Sequence, residues 1–200
     1  MLGTHPAYPW FSRVKGIGKE NIGKVIGLID IKKADTISSL WSFAGRAPKD
    51  GKAPKRTKGE KLTFNIQLKS MTWRLGTSLL RAKGKFYNYY LEVKEKESRK
   101  FRVIPTPKGR FCPECLIEVK AKATRYCPQC GCQLSLKVEP EGVLFEGHLH
   151  NRALNKMIKL FLACLWLVWR EAEGLPITKP YAIDILGHNS FIDPWEMVDR

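Results

Sequence analysis

The sequence predicts a mainly α protein: a helical bundle with a helix-hairpin-helix-like motif, interrupted by a small β zinc ribbon. Three observations carry this reading. Apolar residues recur at helical spacing on both sides of a cysteine-rich stretch. A Gly16-Ile17-Gly18 turn opens the first periodic segment. Two Cys-x-x-Cys pairs, Cys112-Pro113-Glu114-Cys115 and Cys127-Pro128-Gln129-Cys130, are separated by 11 residues. Residues 1–104 then read as the first part of a helical domain, 105–147 as the ribbon, and 148–200 as a closing helix and tail.

At 200 residues and 44% hydrophobic, the chain can bury one substantial core with a small satellite module. Lys and Arg number 35 against 19 Asp and Glu, a net charge of +16. That excess points first to a polyanionic partner, nucleic acid above all, with an acidic protein as the alternative. The longest charge-free apolar run, Leu160 to Trp169, is too short for a bilayer core at about 1.5 Å per helical residue. No membrane partner is expected. No apolar leader is evident at the N-terminus, and clustered metal-spaced cysteines suit a reducing, cytoplasmic setting.

In chain order, Met1 to Trp10 reads as an irregular lead-in with Pro6 and Pro9. Ile22, Val25, Ile26 and Ile29 then follow i, i+3, i+4, i+7 spacing, one face of a helix. Gly16, Ile17 and Gly18 before it can let a backbone approach a phosphate, whose charge the N–H groups of a helix start would meet. Lys15, Lys19 and Lys24 add positive charge there. Gly23 and Gly27 disfavour a helix by about 1 kcal/mol each, so close packing by another backbone is expected at them. Asp35 is placed to cap a helix over Thr36 to Ala44, stopped by Gly45.

Arg46 to Lys61 is basic and broken by prolines and glycines, a loop whose Lys52, Lys55, Arg56 and Lys58 are candidates to grip phosphates. Leu62 to Ala82 reads as a helix with Phe64, Leu68, Met71, Leu75 and Leu79 on one stripe. Phe86-Tyr87-Asn88-Tyr89-Tyr90 opens another; its aromatics suit a core better than base stacking. Phe101 to Arg110 should lead extended into the ribbon, and Gln133 to Glu146 should give two strands completing it. His148 and His150, two apart on a strand, would point the same way, with His188 as a third possible ligand. Asn151 to Glu173 forms the last helix, apolar all round through Trp169 and therefore central to a bundle.

Tetrahedral Zn²⁺ takes four soft donors at about 2.3 Å, which two facing Cys-Pro-x-Cys turns supply. Five of the six cysteines lie within 21 residues, whereas a disulfide framework would spread them along the chain. The expected ligands are Cys112, Cys115, Cys127 and Cys130. Cys132 is a spare thiol that can stand in for Cys130, and Cys164 reads as a buried thiol.

Taken together, the helical parts resemble the C-terminal domain of the DEDD-type, bridge-RNA-guided insertion-sequence transposases. The residues carrying the resemblance are Gly16-Ile17-Gly18, the segment Leu40 to Pro48, Thr57-Lys58-Gly59, the helix Leu62 to Ala82, Phe86-Tyr87, and Leu154 to Trp169. The resemblance implies DNA or structured RNA as ligand, and the ribbon is then an insertion. Two departures follow. The family's RNase H-like domain with four acidic metal ligands has no counterpart here, and Lys49-Asp50-Gly51 stands where the family places a catalytic serine. The resemblance therefore implies a nucleic-acid-binding protein without complete catalytic machinery. The alternatives are the partner of a separate acidic catalytic chain, or a zinc-ribbon adaptor for proteins.

Overall fold

Hydrophobic patterning resolves into six α-helices and four short strands in the computed structural model, which describes residues 2–48, 53–120, 124–135, 138–177 and 192–200. The chain forms two units, Met1–Tyr90 with Leu154–Arg200, and Leu91–Ala153. The protein is mainly α, as the periodicities indicate. No described helix is long and apolar enough to cross a membrane.

In the first unit, α1 (Tyr8–Phe11) and α2 (Lys19–Ile26) flank the Gly16–Gly18 turn. The next helix, α3 (Ile37–Phe43), starts one residue later than Asp35 would cap. Thr36 is the cap: its Oγ1 accepts from Ser39 N at 3.1 Å, while Ser39 Oγ accepts from Thr36 N at 3.4 Å. This reciprocal pair satisfies two amides at once, which Asp35 one residue earlier cannot do. Likewise α4 (Ile66–Ala82) begins after Asn65, whose side chain accepts from Leu68 N at 3.0 Å. The expected start at Leu62 fails because Asn65 N donates to Phe43 O (2.8 Å), tying the preceding stretch to α3. Lys83 in the left-handed conformation ends α4, and α5 (Lys85–Ser98) follows directly.

The centre of this unit is the part of α6 (Glu146–Ala172) from Leu154 onward. Phe161 packs its ring 5.5 Å from both Trp10 and Phe86, and all three are almost wholly buried. Indole N–H groups then tie distant segments to carbonyls. Trp10 donates to Pro194 O (2.7 Å), Trp41 to Lys159 O (3.0 Å) and Trp166 to Ala34 O (2.6 Å). Arg170 adds bonds from one terminal nitrogen to Ile31 O and Ala34 O. Each bond satisfies a polar group that burial would otherwise penalise. Phe86 and Tyr90 are buried, so the aromatic run at the start of α5 is core material. Cys164 is buried too, and burial pushes its thiol up to about 12.

The close approach expected at Gly23 and Gly27 occurs elsewhere. A Cβ at Gly23 would meet Leu2 at an ordinary 3.6 Å, and Gly27 closes α2. Gly76 is the tight position, since a Cβ there would lie 2.7 Å from Ile158, bringing α4 against α6. Asp199 makes a second tie: its carboxylate accepts from Lys15 N (2.7 Å) and Lys85 N (2.8 Å), and its N–H donates to Arg13 O (3.0 Å).

In the second unit, β1 (Arg102–Ile104) pairs in parallel with β4 (Val143–Phe145), and β2 (Arg110–Cys112) pairs antiparallel with β3 (Ile117–Val119). The expected pair of ribbon strands from Gln133 to Glu146 is therefore corrected. Gln133 and Ser135 make isolated bridges to Tyr126 and Phe111, whereas β4 joins β1. Five more residues, Glu146 to His150, also extend α6 backward from Asn151. Glu139 starts it by accepting from Phe145 N (2.7 Å), and Thr106 Oγ1 accepts from Gly147 N (2.8 Å). Buried Glu97 holds Lys100 at 3.0 Å and Arg152 at 3.4 Å.

Two consequences are measurable. Gly76→Val should lower stability by about 1–3 kcal/mol through overpacking, read as a lower denaturation midpoint; an unchanged midpoint would mean α4 and α6 are not pressed together there. Half-buried His5 packs 4.4 Å from the Trp169 ring, accepts from Ala7 N, and has no described partner for Nε2. Burial holds its pKa below the usual 6.5, so protons bind the unfolded chain first. Its contribution is complete above pH 6.5 and declines as pH falls below that value. Stability at pH 5.5 relative to pH 8 should fall less in His5→Asn than in the native protein, and equal falls would refute this.

Candidate metal centre and nucleic-acid interface

Both knuckles of the ribbon are built by the same local rule. After Cys112-Pro113-Glu114-Cys115, Leu116 N donates to Cys112 O (3.0 Å); after Cys127-Pro128-Gln129-Cys130, Gly131 N donates to Cys127 O (2.9 Å). Each closing residue takes the left-handed conformation, Leu116 at φ 55° and Gly131 at φ 71°. Gly131 does so freely, whereas Leu116 is held there against its Cβ. The turns aim four sulfurs inward. The Sγ atoms of Cys112, Cys115, Cys127 and Cys130 all lie within 4.8 Å of one another. At about 2.3 Å from a tetrahedral metal, sulfurs sit about 3.8 Å apart, so this donor set fits one ion.

Electrostatics within the cluster already favour thiolate at some positions. Burial opposes ionisation of Cys112, but the Cys115 N–H and the thiols of Cys132, Cys130 and Cys127 together bring it down to about 6. The Cys132 N–H and the neighbouring thiols lower Cys130. Cys115 is pushed up, chiefly because its proton is shared with Cys130, and Cys132 is pushed up to about 12 beside Cys112. Cys132 is closer to the cluster than its spare position suggests, 3.2 Å from Cys112 Sγ. Cys112, Cys127 and Leu134 form the module's small core, with Ile117, Val119, Cys115 and Cys132 against it. That core is meagre, and metal ligation in sites of this size contributes about 10–16 kcal/mol, enough to decide folding.

Among the described residues the histidine pair belongs to no metal-binding cluster. His148 and His150 lie on α6 rather than a strand, where a two-residue step turns side chains to nearly opposite sides. His148 Nδ1 sits 2.6 Å from Glu139 Oε2. Burial, with the charge of Lys94, lowers the pKa of His150. His188 lies outside the described residues.

The basic residues singled out by the sequence fall into two groups. Lys15, Lys19 and Lys24 are exposed around the Gly16–Gly18 turn, and Lys24 pairs with Glu20. Gly16 takes φ 91°, and a Cβ there would strike Ala82 at 2.6 Å, so its freedom serves packing on α4. Ser78 Oγ donates to Gly16 O at 2.8 Å, fixing the turn to that helix. Ile17 is half-buried, and Gly18 precedes α2 with no side-chain cap on its first amides. The Lys15 amide is held by Asp199 rather than left open. Lys55, Arg56 and Lys58 are exposed on the loop, which reaches α4 through a Lys69 Nζ bond to Pro54 O (2.5 Å). Lys52, with Lys49-Asp50-Gly51, lies outside the described residues. At 1.5 Å per residue, the two groups meet α4 roughly 14–20 Å apart.

Sequence reasoning passed over a third basic group, made of Arg46, Lys69 and Lys159 with Trp41, Phe64 and Trp73. Its signal was legible as an absence: no Asp or Glu occurs from Lys61 to Leu91 or from Gly147 to Arg170.

No family model, curated protein or solved structure matches this chain.

The ligand set makes a sharp prediction. Cys130→Ser should lose bound zinc and ribbon structure, while Cys132→Ser should keep one zinc per chain by elemental analysis. A chelator should abolish near-ultraviolet signal from the ribbon in the native protein. Zinc retained by Cys130→Ser and lost by Cys132→Ser would exchange the two thiols' roles.

Proposed function

We propose that this chain is a nucleic-acid-binding protein, stabilised by a zinc ion on Cys112, Cys115, Cys127 and Cys130, and without complete catalytic machinery of its own. The observation that carries the proposal is electrostatic. The chain holds +16 charges, and Lys15, Lys19, Lys55, Arg56 and Lys58 are exposed with no ion-pair partner among the described residues. Ordinary surface lysines are commonly balanced by nearby carboxylates, as Lys24, Lys33 and Lys100 are here. A surface left positive suits the phosphate backbone, whose neutralisation releases counterions.

The turn before α2 and the loop carrying Lys55, Arg56 and Lys58 would grip phosphates irrespective of sequence, positioning the protein without reading bases. Relationship to the C-terminal domain of DEDD-type insertion-sequence transposases is part of this proposal, supported by the order of the matching segments along the chain. The helix-hairpin-helix reading, with Tyr8–Phe11 as its first helix and Lys19–Ile26 as its second, belongs to it as well. It is supported by two short helices on either side of a glycine turn, although Gly16 itself is spent on packing against α4. Under this proposal DNA or structured RNA is the ligand, and catalysis, if this chain takes part in it, would come from a separate acidic metal-binding chain.

Fluorescence anisotropy of the zinc-loaded protein with duplex DNA, branched DNA and structured RNA across a salt series tests it. On duplex, log K should fall against log salt with a slope of about −0.9 for each phosphate contacted. Replacing Lys55, Arg56 and Lys58 together by Glu should make that slope shallower. No binding at low salt would overturn the proposal.

A further inference from the structure

We infer that the face around Arg46, where the end of α3 meets α4 and α6, is a binding surface for unpaired nucleotides, with Trp73 as its stacking platform; this rests on the nucleic-acid reading above. Arg46 as a residue is only 5% exposed, yet each hydrogen-bond partner of its guanidinium is neutral. Its Nε and one terminal nitrogen bond Thr72 Oγ1 at 3.1 and 2.8 Å, that same nitrogen bonds Lys69 O at 2.6 Å, and the other reaches Asn155 Oδ1 at 3.5 Å. Burial brings its pKa down to about 10, the signature of a cation set in the protein without a counter-charge.

The neighbouring cations repeat the pattern. Lys69 Nζ lies 4.6 Å from the Phe64 ring, and Lys159 Nζ lies 4.0 Å from the Trp41 ring. Burial lowers both lysines, helped by the charge of Arg46 in one case and of Lys156 in the other. Cations are here supported by aromatic faces where a carboxylate would ordinarily stand. Neither α4 nor the buried length of α6 supplies one, since both lie within acid-free stretches of the sequence. Like charges gathered in this way raise the energy of the folded protein, and a bound polyanion relieves them.

Trp73 identifies which polyanion. Trp73 is 39% exposed on α4 with the Arg46 guanidinium 5.8 Å from its ring. An exposed indole backed by a cation is the arrangement that stacks on a base while the cations hold the adjacent phosphates. In a duplex the faces of the bases are already stacked on one another, so the surface selects unpaired strands, DNA or RNA alike. An acidic protein would match the charge but gives no use to an exposed ring beside it.

The test uses the full-length zinc-loaded protein with fluorescein-labelled oligothymidylate, oligouridylate and a fully paired duplex. Stacking on one aromatic ring is worth about 1–3 kcal/mol, so Trp73→Ala should weaken binding of both unpaired probes by roughly 5- to 150-fold and duplex binding far less. Trp73→Phe should restore most of the loss. Lys69→Gln and Lys159→Gln should weaken binding independently of Trp73, which covers the case of an indole variant that folds poorly. Comparable affinity for oligothymidylate in the native protein, Trp73→Ala and both lysine variants would overturn the inference while leaving nucleic-acid binding intact. Polyglutamate bound as tightly as oligothymidylate would overturn it in favour of a protein partner. No binding to any nucleic acid would remove both readings.

Discussion

Burial of the apolar length of α6 is the constraint on which the first unit depends. From Leu154 to Trp169 this helix has apolar residues on every side, and such a helix is stable in water only when other elements enclose it. The segment before α3 meets it through the Ala34 carbonyl on Trp166, α3 through Trp41, α4 at the Gly76 notch, and α1 and α5 through the Trp10–Phe161–Phe86 rings. The indole bonds matter because they let large aromatic side chains be buried without stranding their N–H groups. They also connect residues more than a hundred positions apart, which makes this core a long-range assembly.

Against that core, the charge distribution is the property that asks for a ligand. A protein can keep a strongly basic surface because water screens exposed ammonium groups at little cost. Arg46, Lys69 and Lys159 differ, since they are partly removed from water and rest on neutral acceptors and aromatic faces. Holding cations in that state is tolerable because cation–π contact and carbonyl bonds offset part of their lost hydration. The cysteine module within the second unit solves a different problem. Its few buried side chains around Cys112 and Leu134 make too small a core, and the four inward sulfurs are placed to hold a metal ion that would cross-link it.

What was legible in the sequence follows from the range of the interactions involved. Helical periodicity and the paired Cys-Pro-x-Cys turns are local, so the helices and the cysteine cluster could be read directly. Helix starts were less accessible: Thr36 displaced Asp35 because a reciprocal bond to Ser39 depends on where the chain enters, and α6 gained about a turn and a half with Glu139, across a turn, and Thr106, remote in sequence, bonded at its start. That extension moved His148 and His150 from a strand to a helix and separated them. The four-residue spacing of Gly23 and Gly27 is visible in sequence, whereas the approach of Ile158 to Gly76 is a tertiary fact. The Arg46 group is hidden because its members come from three helices and the segments flanking them, and its one linear trace is a missing residue type.

The most direct measurement is hydrogen–deuterium exchange of the zinc-loaded protein with and without a saturating unpaired oligonucleotide. Exchange should slow in peptides covering Ala53–Lys61, the end of α3 and the exposed length of α4 around Trp73. Slowing confined to the ribbon peptides between Arg110 and Ser135, with α3 and α4 unchanged, would contradict it and move the ligand to the metal module.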